Sequence, residues 1–67
     1  MGTVVINGEE ALMELPRTLT NLITSRDLDP MRVALELNGE IVKRSEFDST
    51  FVSDGDKVEL VHFVGGG

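Results

Sequence analysis

A β-hairpin is encoded by the segment Val33-Ala34-Leu35-Glu36-Leu37-Asn38-Gly39-Glu40-Ile41-Val42. Its first five residues alternate with a period of two, which is the pattern of a strand with one buried face. The pair Asn38-Gly39 then favours a two-residue turn, because both residues tolerate a positive φ. Residues 40–43 return as the second strand. The side chains predicted to face the core are Val33, Leu35 and Leu37.

A second Asn-Gly pair, Asn7-Gly8, predicts another hairpin near the start of the chain. The β-branched run of residues 3–6 before this pair has the composition of a strand. The return strand is predicted over residues 10–15, with weak alternation. Pro16 ends it, because proline has no N–H to donate to a neighbouring strand.

One amphipathic helix is predicted between the two hairpins, over residues 18–26. Thr18 is a favourable N-cap, and the residues that follow place an apolar stripe on one side of the helix. Pro30 disfavours a helical conformation at Asp29, so the helix ends before it. Because a helix with a single apolar stripe is not stable alone, it must lie across a sheet. The stripe consists of Leu19, Leu22 and Ile23.

The remaining segments supply a short turn and a final strand. Ser45 with an acidic residue three positions later predicts a capped turn of helix, and Phe47 is expected to fill the edge of the core. Asp54-Gly55-Asp56 predicts a tight turn. The final strand is predicted over residues 57–64.

The predicted order is therefore hairpin, helix, hairpin, short turn and final strand. We interpret this as an α+β fold, a mixed sheet of four to five strands with one main helix packed on one face. The Val-rich first and last strands are expected to lie side by side in the middle of the sheet. This arrangement is the ubiquitin-like β-grasp. The predicted domain covers residues 1–64, and residues 65–67 form a flexible tail of glycines.

The composition excludes several classes of function. The net charge of -6 argues against a nucleic-acid partner, and the absence of clustered Lys or Arg argues against a membrane surface. The chain has no cysteine, so it forms no disulfide and no Cys-based zinc site, which fits the cytoplasm. No signal peptide is predicted before Thr3, and no segment is long and apolar enough to span a bilayer.

Catalytic residues are not recognisable in the sequence. A Cys–His pair is impossible, and a Ser-His-Asp triad would have to use His62, which lies in a predicted strand. Asp54-Gly55-Asp56 is too short for an EF-hand calcium loop. The chain is therefore predicted not to be an enzyme and to hold no metal. It is better interpreted as a substrate or carrier for other enzymes.

The end of the sequence, Gly65-Gly66-Gly67, has two interpretations. The glycines form either a frayed end or a backbone thread, narrow enough to carry the Gly67 carboxylate into the active site of another protein. The adjoining strand becomes apolar on both sides. Val61 and Phe63 are predicted to lie on the outer face beside Val5, as a docking patch for a partner. The alternative is that a neighbouring loop covers these three side chains.

The chain resembles the ThiS sulfur carriers of thiamin synthesis over essentially its whole length. Gly-Gly ends and Asp-Gly-Asp turns also occur in MoaD, the small subunit of molybdopterin synthase, so no single segment is specific. The compact length and the segment after the second hairpin favour ThiS. The segments that carry the resemblance are Val33-Ala34-Leu35-Glu36-Leu37-Asn38-Gly39-Glu40-Ile41-Val42, Arg44-Ser45-Glu46-Phe47, Asp54-Gly55-Asp56-Lys57-Val58-Glu59 and Val64-Gly65-Gly66-Gly67.

The resemblance implies a function for the glycine tail. A ThiF-like adenylating enzyme would use ATP to convert the Gly67 carboxylate to an acyl-adenylate, and a cysteine-desulfurase relay would supply sulfur to form a thiocarboxylate. A ThiG-like thiazole synthase would receive the sulfur. The carrier itself would bind no cofactor. Two alternatives stay open: a MoaD-like carrier for molybdopterin or another pathway, and a β-grasp interaction module without sulfur chemistry.

Overall fold

The computed structural model describes residues 1–64, and the predicted tail of Gly65, Gly66 and Gly67 lies outside the described residues. One α-helix, α1 (Leu19–Ser25), and two 3-10 helices (Pro30–Arg32 and Arg44–Glu46) occur in this part of the chain. The strands are β1 (Gly2–Ile6), β2 (Glu9–Met13), β3 (Arg17–Thr18), β4 (Val33–Leu37), β5 (Glu40–Val42), β6 (Phe51–Val52) and β7 (Lys57–His62).

Five strands form one mixed sheet in the order β2-β1-β7-β4-β5, and β3 pairs with β6 in a small separate sheet. Strands β1 and β7 run parallel to each other in the middle of the large sheet, and the other pairs of adjacent strands in this sheet are antiparallel. The first and last strands are therefore adjacent, as predicted. The mixed sheet with one main helix confirms the predicted fold class.

Helix α1 covers the inner face of the large sheet with its apolar stripe. Leu19, Leu22 and Ile23 are fully buried, and they join Val4, Val33, Leu35 and Val58 from the strands in one core cluster. Thr18 caps the helix as predicted, since its side-chain oxygen accepts a hydrogen bond from the Asn21 backbone N–H at 3.1 Å. We call the opposite side of the sheet, away from α1, the outer face.

Both Asn-Gly pairs form the predicted two-residue turns. Asn7 and Asn38 have φ of 50° and 52°, and the glycines that follow have φ of 84° and 87°. Positive φ at both central residues defines the type I′ turn, whose twist matches that of the flanking strands. These turns set the registers of the β1–β2 and β4–β5 hairpins.

The turn after the second hairpin differs in detail from the prediction. Ser45 is not an N-cap: it lies inside the 3-10 helix, and Lys43 occupies the cap position without a side-chain hydrogen bond. The reason is that the Glu46 N–H already bonds to the Lys43 carbonyl at 2.8 Å, so the turn begins two residues earlier. Phe47 is buried in the core, as predicted.

The final strand is two residues shorter than predicted. It ends at His62, because its partner strand β4 begins at Val33, opposite His62. Phe63 adds one further backbone hydrogen bond, from its N–H to the Arg32 carbonyl at 2.7 Å. The second strand is likewise Glu9–Met13 rather than residues 10–15. In residues 1–64, no helix has the length and apolar character needed to cross a membrane.

Candidate functional site

The final strand β7 connects the core to the predicted tail. It is the central strand of the large sheet, with β1 on one side and β4 on the other. Val58 and Leu60 point into the core, while Glu59 and Val61 are exposed on the outer face. The strand that leads to the glycines is therefore anchored on both edges and on its inner face.

Two asparagine side chains extend this anchoring. β1 ends at Ile6, beside Val58, so within residues 1–64 no strand pairs with the later part of β7 on that side. The Asn7 side chain replaces it: its Nδ2 donates to the Leu60 carbonyl at 3.1 Å, and its Oδ1 accepts from the Leu60 N–H at 2.7 Å. At the start of the strand, Asn38 Oδ1 accepts from the Lys57 N–H at 2.9 Å.

The exit of β7 is held by the segment that precedes β4. His62 Nε2 accepts a hydrogen bond from the Asp29 N–H at 3.4 Å, and the Phe63 N–H bonds to the Arg32 carbonyl. Arg44 fixes that segment in turn, since its Nε donates to the Pro30 carbonyl at 3.1 Å. The backbone is thus bonded as far as Phe63, two residues before the first glycine.

The predicted docking residues do not form one cluster. Val61 and Phe63 are open to solvent, with exposed fractions of 58% and 55%, so no loop among the described residues covers them. Val5 is half-buried and lies opposite Lys57, because the parallel register pairs Val5 with that residue. Val61 lies four positions after Lys57 along β7, which places the two residues about 13 Å apart. The prediction that Val5 lies in one patch with Val61 and Phe63 is therefore wrong, and Val61 instead lies opposite Ala34.

A shallow groove of about 140 Å³ lies on the outer face. It combines apolar side chains with two carboxylates, and its most exposed apolar residue is Ile41, with an exposed fraction of 80%. Sequence reasoning missed Ile41. This residue lies opposite Glu36 in the antiparallel pair of β4 and β5, so both side chains point to the outer face. The groove is lined by Ala34, Leu35, Glu36, Ile41, Glu59 and Val61.

The acidic residues of the Asp54-Gly55-Asp56 turn have structural partners. Asp54 Oδ1 accepts a hydrogen bond from the Thr3 N–H at 2.7 Å, and Asp56 Oδ2 accepts from the Ser53 N–H at 2.8 Å. Across the described residues, no three His, Cys, Asp or Glu side chains converge in a way that could hold a metal ion. The site therefore consists of the strand exit, the groove and the residues that lead to the tail.

Comparison with known proteins places this geometry in a family. The sequence model of the ThiS family matches residues 4–67. The chain belongs to the ThiS family. It is 38% identical over 50 residues to the sulfur carrier protein ThiS of Bacillus subtilis, a match that covers 75% of this chain and 76% of the relative.

The chain is also similar to part of some longer proteins. The thiazole synthase of Paramagnetospirillum magneticum is 44% identical over 64 residues, covering 96% of this chain but 20% of the relative. The chain thus spans about a fifth of that protein's length. Among solved structures, the crystal structure of the thiamine biosynthesis protein ThiS from Geobacter metallireducens is similar, with a TM-score of 0.83 and 35% identity. That match covers 97% of this chain and 99% of the other, so the β-grasp architecture is common to both.

Proposed function

We propose that the protein is a sulfur carrier of thiamine biosynthesis, and that its sulfur is held on the carboxyl group of Gly67. The observation that carries this proposal is the ThiS family match, which extends through the three glycines to residue 67. The Bacillus subtilis relative named as a sulfur carrier supports the same role. The protein would then be a co-substrate for partner enzymes and not itself a catalyst.

The first proposed step is activation of the Gly67 carboxylate. A carboxylate is a poor electrophile, because its negative charge repels nucleophiles and oxide is a poor leaving group. A ThiF-like enzyme would transfer AMP from ATP to the carboxylate, with release of pyrophosphate. Glycines suit this step, because a thread without side chains enters a narrow active site. ATP would be bound by the partner and not by this chain.

Sulfur transfer would follow activation. The terminal sulfur of a persulfide delivered by a cysteine-desulfurase relay attacks the acyl carbon and displaces AMP, which gives an acyl disulfide. A second thiol then reduces the S–S bond by forming a disulfide with the relay cysteine, which leaves a thiocarboxylate on Gly67. The thiocarboxylate sulfur then attacks the intermediate held by a ThiG-like thiazole synthase. The longer relatives named thiazole synthase, which contain a stretch similar to this chain, support that partner. The ThiS match also supports the thiazole pathway over the molybdopterin alternative.

The structure supports a division of labour within the chain. The hydrogen bonds at Leu60, His62 and Phe63 fix the end of β7 and the residue after it, just before the predicted tail. Val61 and Phe63 offer exposed apolar surface beside that point, with Val5 further along the outer face. We propose that these side chains dock the partner while Gly65, Gly66 and Gly67 enter its active site. We place this exchange in the cytoplasm.

Intact-mass measurement tests the proposal. The purified protein is incubated with a ThiF-like enzyme from the same source, ATP and a sulfide donor. A carrier gains about 16 Da as one oxygen is replaced by sulfur, a covalent change that a mass spectrometer resolves. The sample without ATP is the control and keeps its mass. An unchanged mass in the complete reaction, with an enzyme shown to be active on its own carrier, would favour the interaction module.

A further inference from the structure

Glu36 and Glu59 are direct cross-strand neighbours at the centre of the outer face. They occupy paired positions in the antiparallel register of β4 and β7, and both side chains are exposed. Residues opposite each other in such a pair have Cβ atoms about 5 Å apart, and like charges there are destabilising. Within residues 1–64, neither carboxylate forms an ion pair or a hydrogen bond. Lys57 lies two residues before Glu59, but it forms no ion pair with either carboxylate.

Apolar side chains border this carboxylate pair. Ile41 lies opposite Glu36 on one side, and Val61 follows Glu59 on the other strand, so the pair sits at one end of the shallow groove. Both apolar residues are largely exposed. The groove therefore offers an apolar surface next to two unpaired negative charges, and the sheet has no element of its own that covers this side in the described part of the chain.

We propose that this groove receives a protein surface on which one arginine or lysine stands beside an aliphatic side chain. The cation would lie between the carboxylates of Glu36 and Glu59, and the aliphatic group would contact Ile41 and Val61. This inference rests on the proposed function, and the partner it commits to is the activating enzyme.

Three physical arguments support a cationic partner. A guanidinium between two carboxylates forms charge-assisted hydrogen bonds and removes the repulsion between them. The apolar neighbours exclude water on docking, which strengthens the attraction. The net charge of -6 also accelerates the encounter with a basic surface.

The position of the groove agrees with delivery of the tail. Glu59 lies four residues before Phe63, so the pair is about 13 Å from the exit of the strand. A standard interface covers about 800 Å² on each partner, which is wide enough to include both places. One bound protein can therefore hold the groove and receive the tail at the same time.

The test compares two double variants with the same change in charge. Glu36→Gln with Glu59→Gln removes the pair, while Glu9→Gln with Glu40→Gln removes two carboxylates at the edge strands. Glu9 and Glu40 lie opposite the inward-facing Ile6 and Leu37, so they are not on the outer face. The probe is a purified ThiF-like activating enzyme from the same source. Its Kd for each protein is measured at low and high KCl, alongside urea unfolding and the mass assay.

We expect the Glu36/Glu59 variant to bind about tenfold more weakly with a flatter salt dependence, and the control to change its Kd less than about twofold. The urea unfolding midpoint of the Glu36/Glu59 variant should be unchanged or higher, because the repulsion between the two carboxylates is gone. Equal Kd values for the two variants, or a loss of affinity that follows a loss of stability, would overturn the inference. If the unaltered protein neither bound the enzyme nor gained mass, the proposed function itself would fail and the inference with it.

Discussion

The side-chain amide of Asn7 bonds to both backbone polar groups of Leu60, 53 residues later in the chain. The two distances are 3.1 Å from Nδ2 to the carbonyl oxygen and 2.7 Å from the N–H to Oδ1. The amide thus takes the place that a further residue of β1 would have filled. An asparagine amide carries its donor and its acceptor on separate atoms, so it can bond to the N–H and to the carbonyl of one residue at the same time. The same residue supplies the positive φ that the first turn requires.

Replacement of Asn7 by glycine tests this double role. Glycine keeps the positive φ but removes both hydrogen bonds to Leu60, which are partly buried. We expect a loss of about 2 kcal/mol in the free energy of unfolding, measured in urea. Asn38→Gly is the matched control, because its bonds to Lys57 and Asp56 are exposed. Equal losses in the two variants would show that burial of the Asn7 bonds adds nothing.

Asp27 is a suboptimal end to the helix. It has a φ of 61° directly after the cap residue Arg26. The Asp27 N–H bonds to the Thr24 carbonyl at 3.0 Å and the Leu28 N–H to the Ile23 carbonyl at 3.2 Å, which is the Schellman motif. Glycine is preferred at this position, and a negative charge is unfavourable at a helix C-terminus.

We therefore expect Asp27→Gly to raise the free energy of unfolding by about 0.5–1 kcal/mol. Asp27→Ala is the control: it removes the same charge but keeps a Cβ in the left-handed conformation, which costs about 1 kcal/mol. Thermal unfolding of the three proteins gives the order. A less stable glycine variant would mean that the Asp27 side chain makes a contribution that outweighs its conformation.

The sequence predicted those features that depend on local patterns. The two Asn-Gly turns, the Thr18 cap and the stripe of α1 each follow from residues within four positions of one another. The burial of Phe47 followed from its place after the second hairpin. These local signals were sufficient for the order of the two hairpins, the helix and the final strand, but the short strands β3 and β6 and the 3-10 helix Pro30–Arg32 were not predicted.

Features that depend on distant residues were not predictable in the same way. The offset between the parallel strands β1 and β7 set the position of Val5, and no local pattern encodes that offset. The bond from Asn7 to Leu60 joins distant segments, so the turn motif alone did not reveal it. The groove combines β4, β5 and β7, and it required the registers of both pairs.

Phe63 and Val61 are expected to contribute to partner binding more than to folding. Phe63 is 55% exposed and lies beyond the end of β7, so Phe63→Ser should lower the free energy of unfolding by less than about 1 kcal/mol. Its Kd for the ThiF-like enzyme should rise about tenfold. Leu12→Ser is the matched control, since Leu12 is 70% exposed on the outer face at the far edge strand. Lost folding with unchanged affinity in the refolded protein would remove Phe63 from the docking surface.

Extension of the chain by one residue after Gly67 separates the chemistry of the terminus from the fold. The added residue moves the carboxylate, and any residue other than glycine also brings a side chain to the point where the partner must bind a bare backbone. We therefore expect no gain in mass with the ThiF-like enzyme, ATP and sulfide. The domain itself is untouched, and the free energy of unfolding should change by less than about 0.5 kcal/mol. An added glycine is the control for length, and an added alanine or serine tests the side chain. If the alanine-extended protein were still converted to a thiocarboxylate at its new end, the requirement for glycine at the modified position would be wrong.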